Sequence, residues 1–475
     1  MWSRAEWRSF VFLFVLGALL LGVTPFLRGS SFLGSEAAAQ LRTVGILHQT
    51  HAFPIFDALS FQGRKVTQER GYSFLLSWIP QSWFIFVPFF FGLLNFVLFF
   101  FLLKDFSPSH RFISCLFFLL TPAFLFFHST LHPLSVALTL LLLSGLFFRS
   151  SRFFFGILCL SLLPLFSIVL FFFSLASLIL FALFRKIQWK FVLALFFIGV
   201  IVCFFTAPWI FHLGLVSFSY LSVPFFTIVD HITLLFVEFG GFNGVSFFLF
   251  CLALYGGFVY LSQYRQILFG FLCFLLSLGF FFLFSSFIAF FILPILFFAA
   301  FGFTHLLSSI WKSGLLKYAV LLVFIVALGS STIFYFESVP SADPSLGLQQ
   351  AFLFLDKQSS NGTILAPLSY GRFLELHGKS VYYDDIVSAP GFAQRWDAAN
   401  TFYHTSDPAI VQSFIGSSHI EYLLIDSSFK EKTWTSKDDG VLFFVHYAPK
   451  LFGKIYDREG VEIYLVFPPD FEQKP

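Results

Sequence analysis

Residues 82–103 read SWFIFVPFFFGLLNFVLFFFLL, an apolar run that carries no charged side chain. A helix needs about 20 predominantly apolar residues to cross the hydrocarbon core of a bilayer, so this run is long enough to span a membrane. Comparable runs lie on both sides of it. Together they predict eleven spans, at residues 8–27, 82–103, 112–128, 131–148, 152–167, 169–184, 191–210, 245–261, 268–286, 287–303 and 318–336.

The composition is that of an integral membrane protein. The 475-residue chain is 58% hydrophobic and only 11% charged, whereas soluble domains average about 25% charged residues. Phenylalanine alone supplies 81 residues, most of which we interpret as lipid-facing or packing surface. All five cysteines lie in apolar runs, which predicts neither a disulfide framework nor a thiolate zinc site. The composition excludes a soluble globular protein, and we expect no nucleic-acid partner.

The basic residues predict the orientation of the spans. Short cytoplasmic loops of membrane proteins are enriched in Lys and Arg. With the N-terminus in the cytoplasm, the basic residues at the N-terminus and in the short loops all fall on the cytoplasmic side: Arg4, Arg8, Lys104, Arg111, Arg149, Arg152, Arg185, Lys186, Lys190, Arg265, Lys312 and Lys317. We therefore expect a multi-pass protein of the plasma membrane with a cytoplasmic N-terminus and an extracytoplasmic C-terminal domain.

Residues 337–475 differ in character, since they hold 18 of the chain's 25 carboxylates. Helical and strand-like patterns alternate there, which is typical of a small α/β domain. Helices are predicted at 346–358, 372–377 and 407–415, strands at 363–366, 380–383 and 422–425, and a hairpin at 451–456 and 461–467. The predicted fold is a polytopic α-helical membrane domain, residues 1–336 with external loops 28–80 and 211–243, followed by an extracytoplasmic α/β domain, residues 337–475.

Carboxylates are rare in the predicted membrane domain, and their positions are informative. Only seven occur in residues 1–336, and five of these fall in the two external loops: Glu36, Asp57, Glu69, Asp230 and Glu238. Ionisable groups at the edge of a bilayer are costly and are commonly retained for function. The pattern indicates an active-site face on the external side.

The first external loop begins with an amphipathic helix. Ser35 can cap this helix, and Glu36 then lies in the first turn, where a carboxylate suits the helix dipole. Glu36 is either a helix-start residue or a general base or metal ligand. Asp57 is either a turn former or a site residue. The apolar face is predicted to lie along the membrane surface and consists of Ala37, Leu41, Val44 and Leu47.

Two further groups of charged residues have two interpretations each. Arg64, Lys65 and Arg70 are either solvated charges or an anion site, because the external side is otherwise poor in basic residues and Arg suits phosphate. Asp230 and Glu238, in the loop 211–243, are either interfacial acids that reach for water or a second wall of a catalytic site that faces Glu36.

The first external loop resembles that of a known family. Its acidic residue, its surface helix and the run Phe53-Pro54, Asp57, Ser60, Gly63-Arg64 are similar to the GT-C membrane glycosyltransferases. The likeness is greatest to oligosaccharyltransferase catalytic subunits and their prokaryotic relatives, which also have a comparable number of spans and an external α/β domain. The resemblance implies that a sugar moves from a polyprenyl-phosphate or polyprenyl-diphosphate carrier to a glycan, lipid or protein acceptor on the external face.

The resemblance also assigns candidate residues. Glu36 matches the first-loop acid, and Val237–Gly241 looks like the late external-loop glutamate motif. Pro367–Gly371 matches the family's Trp-Trp-Asp-Tyr-Gly region with only the final Tyr-Gly retained, which argues against transfer to Asn-X-Ser/Thr sequons. The catalytic candidates are Glu36, Asp57 and Glu238. The substrate-binding candidates are Arg64, Lys65, Arg70, Asp230, Tyr370 and Arg372.

A metal requirement stays open at this point. The family often places an acidic pair between the third and fourth spans, and here that turn carries His128 and His132 instead. The candidate metal ligands are Glu36, His128, His132 and Glu238, and Mg²⁺ or Mn²⁺ would help a diphosphate carrier leave. Because acids are sparse near Arg64, Lys65 and Arg70, a monophosphate carrier suits the sequence better than a diphosphate carrier.

Two functions other than transfer fit parts of the sequence. The incomplete motifs also fit a non-catalytic membrane scaffold or glycan-binding relative. A transporter or flippase fits less well, because the predicted span interiors hold almost no ionisable groups and no pair of broken helices recurs in matching halves.

Overall fold

The computed structural model describes most of the chain. The described residues are 3–28, 34–66, 70–185, 189–206, 233, 235–239, 244–263, 275–279, 288–308, 313–339, 343–358, 362–386, 391–436 and 438–467. Contacts within the chain divide it into two compact units. We call Met1–Leu33 with Gln68–Pro340 the helical unit, and Gly34–Thr67 with Ser341–Pro475 the mixed unit. The contacts therefore assign residues 34–67 of the first external loop to the mixed unit and the rest of the loop to the helical unit.

The described part of the helical unit consists mainly of apolar helices. Its described helices are α1 (Arg4–Arg28), α3 (Gly71–Ser77), α4 (Phe86–Leu102), α5 (Pro108–Leu120), α6 (Pro122–Phe127), α7 (Leu134–Arg149), α8 (Phe153–Ser161), α9 (Ile168–Arg185), α10 (Trp189–Thr206), α11 (Phe247–Gln263), α12 (Ile288–Ser308) and α13 (Gly314–Ser338).

Three described helices are long and apolar enough to cross a membrane: Arg4–Leu27, Phe290–Ser308 and Gly314–Ser338. Seven shorter apolar helices accompany them. One predicted span, residues 112–128, is two helices that meet at Thr121-Pro122, because Pro lacks the amide hydrogen that would continue the helix. The total of eleven spans stays a prediction.

Helices α11 and α12 pack at very close range through small residues. A Cβ atom added to Gly256 would lie 1.9 Å from the carbonyl oxygen of Phe298 and 2.5 Å from the amide nitrogen of Gly302. Glycine at both positions lets the two backbones approach, which is a common basis of helix pairing in membranes.

This packing predicts a stability effect. Gly256→Ala is expected to lower the free energy of unfolding by about 1–3 kcal/mol, because the added methyl group meets backbone that cannot move aside. The adjacent Gly257→Ala is the matched control, since its added Cβ meets only a ring carbon of Phe298 at 3.9 Å. Thermal unfolding of both variants in nanodiscs checks this, and equal stability of the two contradicts the close-packed interface.

The mixed unit combines the helix of the first external loop with the C-terminal segment. Its elements are α2 (Gly34–Thr50), β1 (Phe56–Asp57), β2 (Arg64–Lys65), α14 (Leu346–Asp356), β3 (Thr363–Leu365), α15 (Gly371–Leu376), α16 (Phe392–His404), α17 (Pro408–Ser418), β4 (Ile420–Asp426), α18 (Ser427–Thr433), α19 (Val441–Tyr447), β5 (Phe452–Arg458) and β6 (Val461–Val466).

A four-stranded sheet with the order β3-β4-β6-β5 forms the centre of the mixed unit. Strands β3 and β4 are parallel, and β4, β6 and β5 pair antiparallel. The β5–β6 hairpin turns at Glu459-Gly460, where both residues have positive φ, as a two-residue type I′ turn requires. Apolar residues of α14, among them Phe352 and Leu355, pack with Ile364 and Leu424 of the sheet.

The helix predicted to lie along the membrane surface packs within the mixed unit, and its position relative to a membrane stays a prediction. The buried residues of α2 are Ala37, Ala38, Ala39, Gln40 and Val44, and this helix lies against α15. Three consecutive alanines leave room for a neighbouring helix, and the charged residues described below hold α2 in place. In the C-terminal segment, the predicted strand 380–383 is reduced to a single bridge between Val381 and Ile364.

Candidate active site

Arg372 joins two carboxylates that lie far apart in the sequence. Its Nη1 donates to Oε2 of Glu36, and its Nε faces Oδ1 of Asp385. Burial disfavours the guanidinium charge, but the carboxylates of Asp385, Glu36 and Asp384 outweigh it and raise the pKa of Arg372. The cation is therefore fixed between Glu36 and Asp385.

Local sequence explains how these side chains meet. Glu36 lies in the first turn of α2, and its Oε1 accepts a hydrogen bond from Nε2 of Gln40 at 2.9 Å. Arg372 is the second residue of α15, which begins at Gly371. A Cβ atom on Gly371 would lie 2.8 Å from the Cα of Asp384, so glycine allows α15 to approach the loop that carries the aspartates. The side chain of Glu36 keeps 27% exposure, so a substrate can reach it.

A second arginine, Arg42, holds another pair of carboxylates. Both of its terminal nitrogens donate to Asp57, and Nη1 also donates to Oε2 of Glu375 at 2.8 Å. Burial disfavours ionised Asp57, but the hydrogen bonds and the charge of Arg42 outweigh it and lower its pKa. Asp57 also accepts from the amides of Leu59 and Ser60. Asp57 is thus a fixed anion that shapes the loop.

Asp384 links the two arginine clusters. It is fully buried and accepts from Oγ of Ser60 at 2.5 Å, while Nη2 of Arg64 lies 3.8 Å away. Burial raises the pKa of the neighbouring Glu375, and the charge of Asp384 and a hydrogen bond to it act in the same direction. Glu375 therefore holds its proton more tightly in the folded state than an ordinary glutamate does.

The raised pKa of Glu375 predicts how stability depends on pH. A carboxyl group that binds its proton more tightly when folded stabilises the fold below its unfolded pKa of about 4.3, and this contribution is lost as pH rises through the folded pKa. We expect the free energy of unfolding to fall as pH rises from about 5 towards 9. In Glu375→Gln, which keeps a neutral amide, this part of the slope disappears.

Denaturant unfolding of the full-length protein at several pH values measures this slope. Glu431→Gln is the control, because Glu431 is an exposed residue of α18 and its removal should leave the slope unchanged. An identical slope in wild type and Glu375→Gln contradicts the raised pKa of Glu375.

Backbone contacts fix the loop that carries these residues. The amide of Val381 donates to the carbonyl oxygen of Leu59 at 2.8 Å, and the amide of Gln62 donates to the carbonyl oxygen of Val381 at 3.3 Å. The side chain of Gln62 also donates to Ser418 and Thr363. The candidate site is therefore built on a rigid connection between the first external loop and the C-terminal segment.

The third catalytic candidate, Glu238, belongs to the helical unit. Its Oε1 accepts from the hydroxyls of Ser246 at 2.8 Å and Ser331 at 2.9 Å. Its Oε2 accepts from the amide of Phe247 at 2.9 Å, at the start of α11. These contacts cap α11 and tie it to α13, and a catalytic part for Glu238 stays a prediction.

His128 and His132, two of the metal candidates, have hydrogen-bond partners within the helical unit. His128 is buried, and its ring nitrogens lie 2.8 Å from the carbonyl oxygen of Phe124 and 2.7 Å from Nδ2 of Asn95. Nδ1 of His132 accepts from the amide of Leu134. Within the part of the chain that the structure describes, no group of three or more His, Cys, Asp and Glu residues could hold a metal ion.

The remaining candidates are placed as follows. Arg64 lies beside Asp384, and its Nε donates to Oγ of Ser60 at 2.6 Å. Tyr370 hydrogen-bonds Asp426, and burial followed by this carboxylate raises its pKa. Arg70 belongs to the helical unit, where burial lowers its pKa. Asp230 and the side chain of Lys65 lie outside the described residues. Substrate binding by all these residues stays a prediction.

Sequence reasoning missed four members of the cluster: Arg42, Glu375, Asp384 and Asp385. The last two are adjacent acids that follow Tyr382-Tyr383, in a segment where carboxylates are common. Arg42 carried a weaker signal, since it adds a basic residue to an external loop. Glu375 carried none, because a carboxylate in a charged domain is ordinary.

Solved structures with this fold include an oligosaccharyltransferase and ArnT, in line with the resemblance of the first external loop. An oligosaccharyltransferase from Archaeoglobus fulgidus in the apo form matches with a TM-score of 0.62 and 12% identity, over 97% of this chain and 74% of that chain. AglB from the same organism, in complex with an inhibitory peptide and a dolichol-phosphate, gives 0.60 and 12%, over 100% and 76%. ArnT from Cupriavidus metallidurans bound to undecaprenyl phosphate gives 0.52 and 13%, over 97% and 98%.

One further structure of the Archaeoglobus oligosaccharyltransferase is a complex with Zn and sulfate, with a TM-score of 0.57. No protein-family profile matches the chain, and sequence comparison with curated proteins gave no match. At 12–13% identity the likeness concerns the fold. This fold and the apolar helices indicate an integral membrane protein.

Proposed function

We propose that the protein is a membrane glycosyltransferase that moves a sugar from a polyprenyl-monophosphate carrier to an acceptor on the extracytoplasmic face. The observation that carries this proposal is the Glu36–Arg372–Asp385 bridge, in which a reachable carboxylate at a helix start is held by a buried cation. The matched GT-C structures support it, because two of them contain dolichol-phosphate or undecaprenyl phosphate.

The proposed topology follows the distribution of basic residues. The N-terminus is cytoplasmic, the mixed unit is extracytoplasmic, and the membrane is the plasma membrane. The concentration of carboxylates in residues 337–475 supports an aqueous environment for the mixed unit.

The proposed step is a displacement at the anomeric carbon. Glu36 accepts the proton of the acceptor hydroxyl while the hydroxyl oxygen forms a bond to the anomeric carbon. The bond between the anomeric carbon and the phosphate oxygen breaks, and polyprenyl phosphate leaves with the electron pair. Arg372 holds Glu36 in position, and a positioned base of this kind contributes about 10²–10⁴ in rate.

The carrier phosphate needs a positive partner. Arg70 is the proposed contact, because Arg binds phosphate oxygens well. Arg64 is already engaged by Ser60 and Asp384, so its proposed part is to hold the loop. The proposed step is written without a metal ion, and the chelator in the test below checks this part of the proposal.

A donor panel tests the proposal. Full-length protein in nanodiscs is incubated with radiolabelled polyprenyl-monophosphate and polyprenyl-diphosphate sugars, with a membrane extract as the acceptor source, in the presence of Mn²⁺ or of a chelator. We expect release of polyprenyl phosphate from the monophosphate donor under both conditions. Release from neither donor favours a non-catalytic scaffold or glycan-binding protein. Movement of intact donor across the bilayer of a proteoliposome favours a flippase.

A further inference from the structure

A pocket of about 590 Å³ lies within the mixed unit, inside the range of about 300–1,000 Å³ that is typical of small-molecule sites. Its wall is formed by the start of α2, the segment before α15, the loop that carries Tyr383 and Asp385, and the helices α16 and α18. Asp385, which pairs with Arg372, is part of this wall. The pocket therefore shares a carboxylate with the Glu36–Arg372 cluster.

Aromatic rings dominate the apolar part of the wall. Trp396 is half-buried and held in place, since it stacks on Phe392 with centroids 6.2 Å apart and meets Tyr383 edge-on at 5.9 Å. Tyr403 is buried and meets Phe429 at 5.0 Å. Fixed aromatic faces carry partial negative charge, and the C–H groups of a pyranose ring pack well against such faces.

The polar part of the wall suits hydroxyl groups. Nδ1 of His404 donates to the carbonyl oxygen of Asn400 at 2.9 Å, so Nε2 is the ring nitrogen left to hydrogen-bond a ligand hydroxyl. The exposed amide of Asn400 offers a donor and an acceptor, and Asp385 offers carboxylate oxygens. Among the described residues that line the pocket there is no Lys or Arg. A phosphate or carboxylate ligand would therefore find no counter-charge there.

We propose that this pocket binds a neutral saccharide unit of the acceptor, with its ring against Trp396 and its hydroxyls on Asp385, Asn400 and His404. This assignment rests on the proposed function, since the bound saccharide is the sugar acceptor for transfer. It deepens that function by naming a glycan rather than a peptide as the acceptor class. The shared Asp385 places the saccharide next to the arginine that holds Glu36.

A binding measurement tests the pocket without any lipid-linked donor. Fluorescently labelled full-length protein in nanodiscs is applied to an array of neutral oligosaccharides, acidic oligosaccharides and an Asn-X-Thr peptide. We expect retention on one group of neutral oligosaccharides. Trp396→Ala should weaken this binding at least about tenfold, and so should Asn400→Ala, which changes an exposed residue. Tyr447→Ala, which removes an aromatic ring that is 64% exposed and does not line the pocket, should bind as wild type does.

The proposal is overturned if the folded wild-type protein binds no oligosaccharide on the array or binds only the peptide. It is also overturned if both pocket variants bind as tightly as wild type. Its failure is distinguishable from failure of the proposed function. Saccharide binding without any donor turnover supports the saccharide pocket and refutes the proposed transferase activity. Donor turnover without saccharide binding refutes the saccharide pocket and supports the proposed transferase activity.

Discussion

Glu36→Gln is expected to lower sugar transfer by about 10²–10⁴ while the protein still folds. The amide keeps the size of the side chain and one oxygen that can accept from Arg372, but it cannot take the proton of an acceptor hydroxyl. Turnover of a radiolabelled polyprenyl-monophosphate sugar measures the loss, and thermal unfolding confirms that the variant is folded.

Glu431→Gln serves as the matched control, because it makes the same chemical change on an exposed helix of the same unit. Its turnover should equal that of wild type. Turnover of Glu36→Gln within about twofold of wild type would show that Glu36 is not the acidic group on which transfer depends.

Arg372→Ala is expected to cost about 3–5 kcal/mol of unfolding free energy, because it leaves Glu36 and Asp385 without their shared cation. Arg372→Lys keeps the charge, but a single ammonium group lacks the planar fork that reaches both carboxylates. We expect the Lys variant to fold and to lose about 10²-fold in turnover through misplacement of Glu36.

A chemical rescue separates positioning from a purely structural part. Millimolar guanidinium should restore part of the turnover of Arg372→Ala, whereas methylammonium should not. Arg458→Lys, at an exposed arginine of β5, is the control and should match wild type. Full turnover of Arg372→Lys, or no difference between the two cations, contradicts the bridging role.

Much of the fold follows from the sequence, because periodicity reports directly on burial. The hairpin was predicted at 451–456 and 461–467 and lies at Phe452–Arg458 and Val461–Val466, since alternating apolar residues flank a Glu-Gly turn. The helix α16, at Phe392–His404, was not predicted, because polar residues interrupt its apolar face. The packing of α2 against α15 was also beyond the sequence, since it depends on charge pairs between residues more than 300 positions apart.

The candidate site was predictable only in part, because its residues come from two parts of the chain that differ in composition. Glu36 stood out as an acid in an acid-poor region, and it does lie in a charged cluster. The partners of that acid come from a domain rich in charges, where composition does not single out Arg372, Glu375 or Asp384. Asp57 and Arg64 were prominent in the sequence, and both are engaged within the cluster by Arg42 and Asp384.

The most direct test of the account is a single-turnover measurement in nanodiscs with one radiolabelled polyprenyl-monophosphate sugar and a chelator present. Wild type and Glu36→Gln are compared in parallel for the appearance of free polyprenyl phosphate. The account predicts release by wild type and a loss of about 10²-fold or more in the variant. Equal release by both proteins, or release by neither, contradicts it.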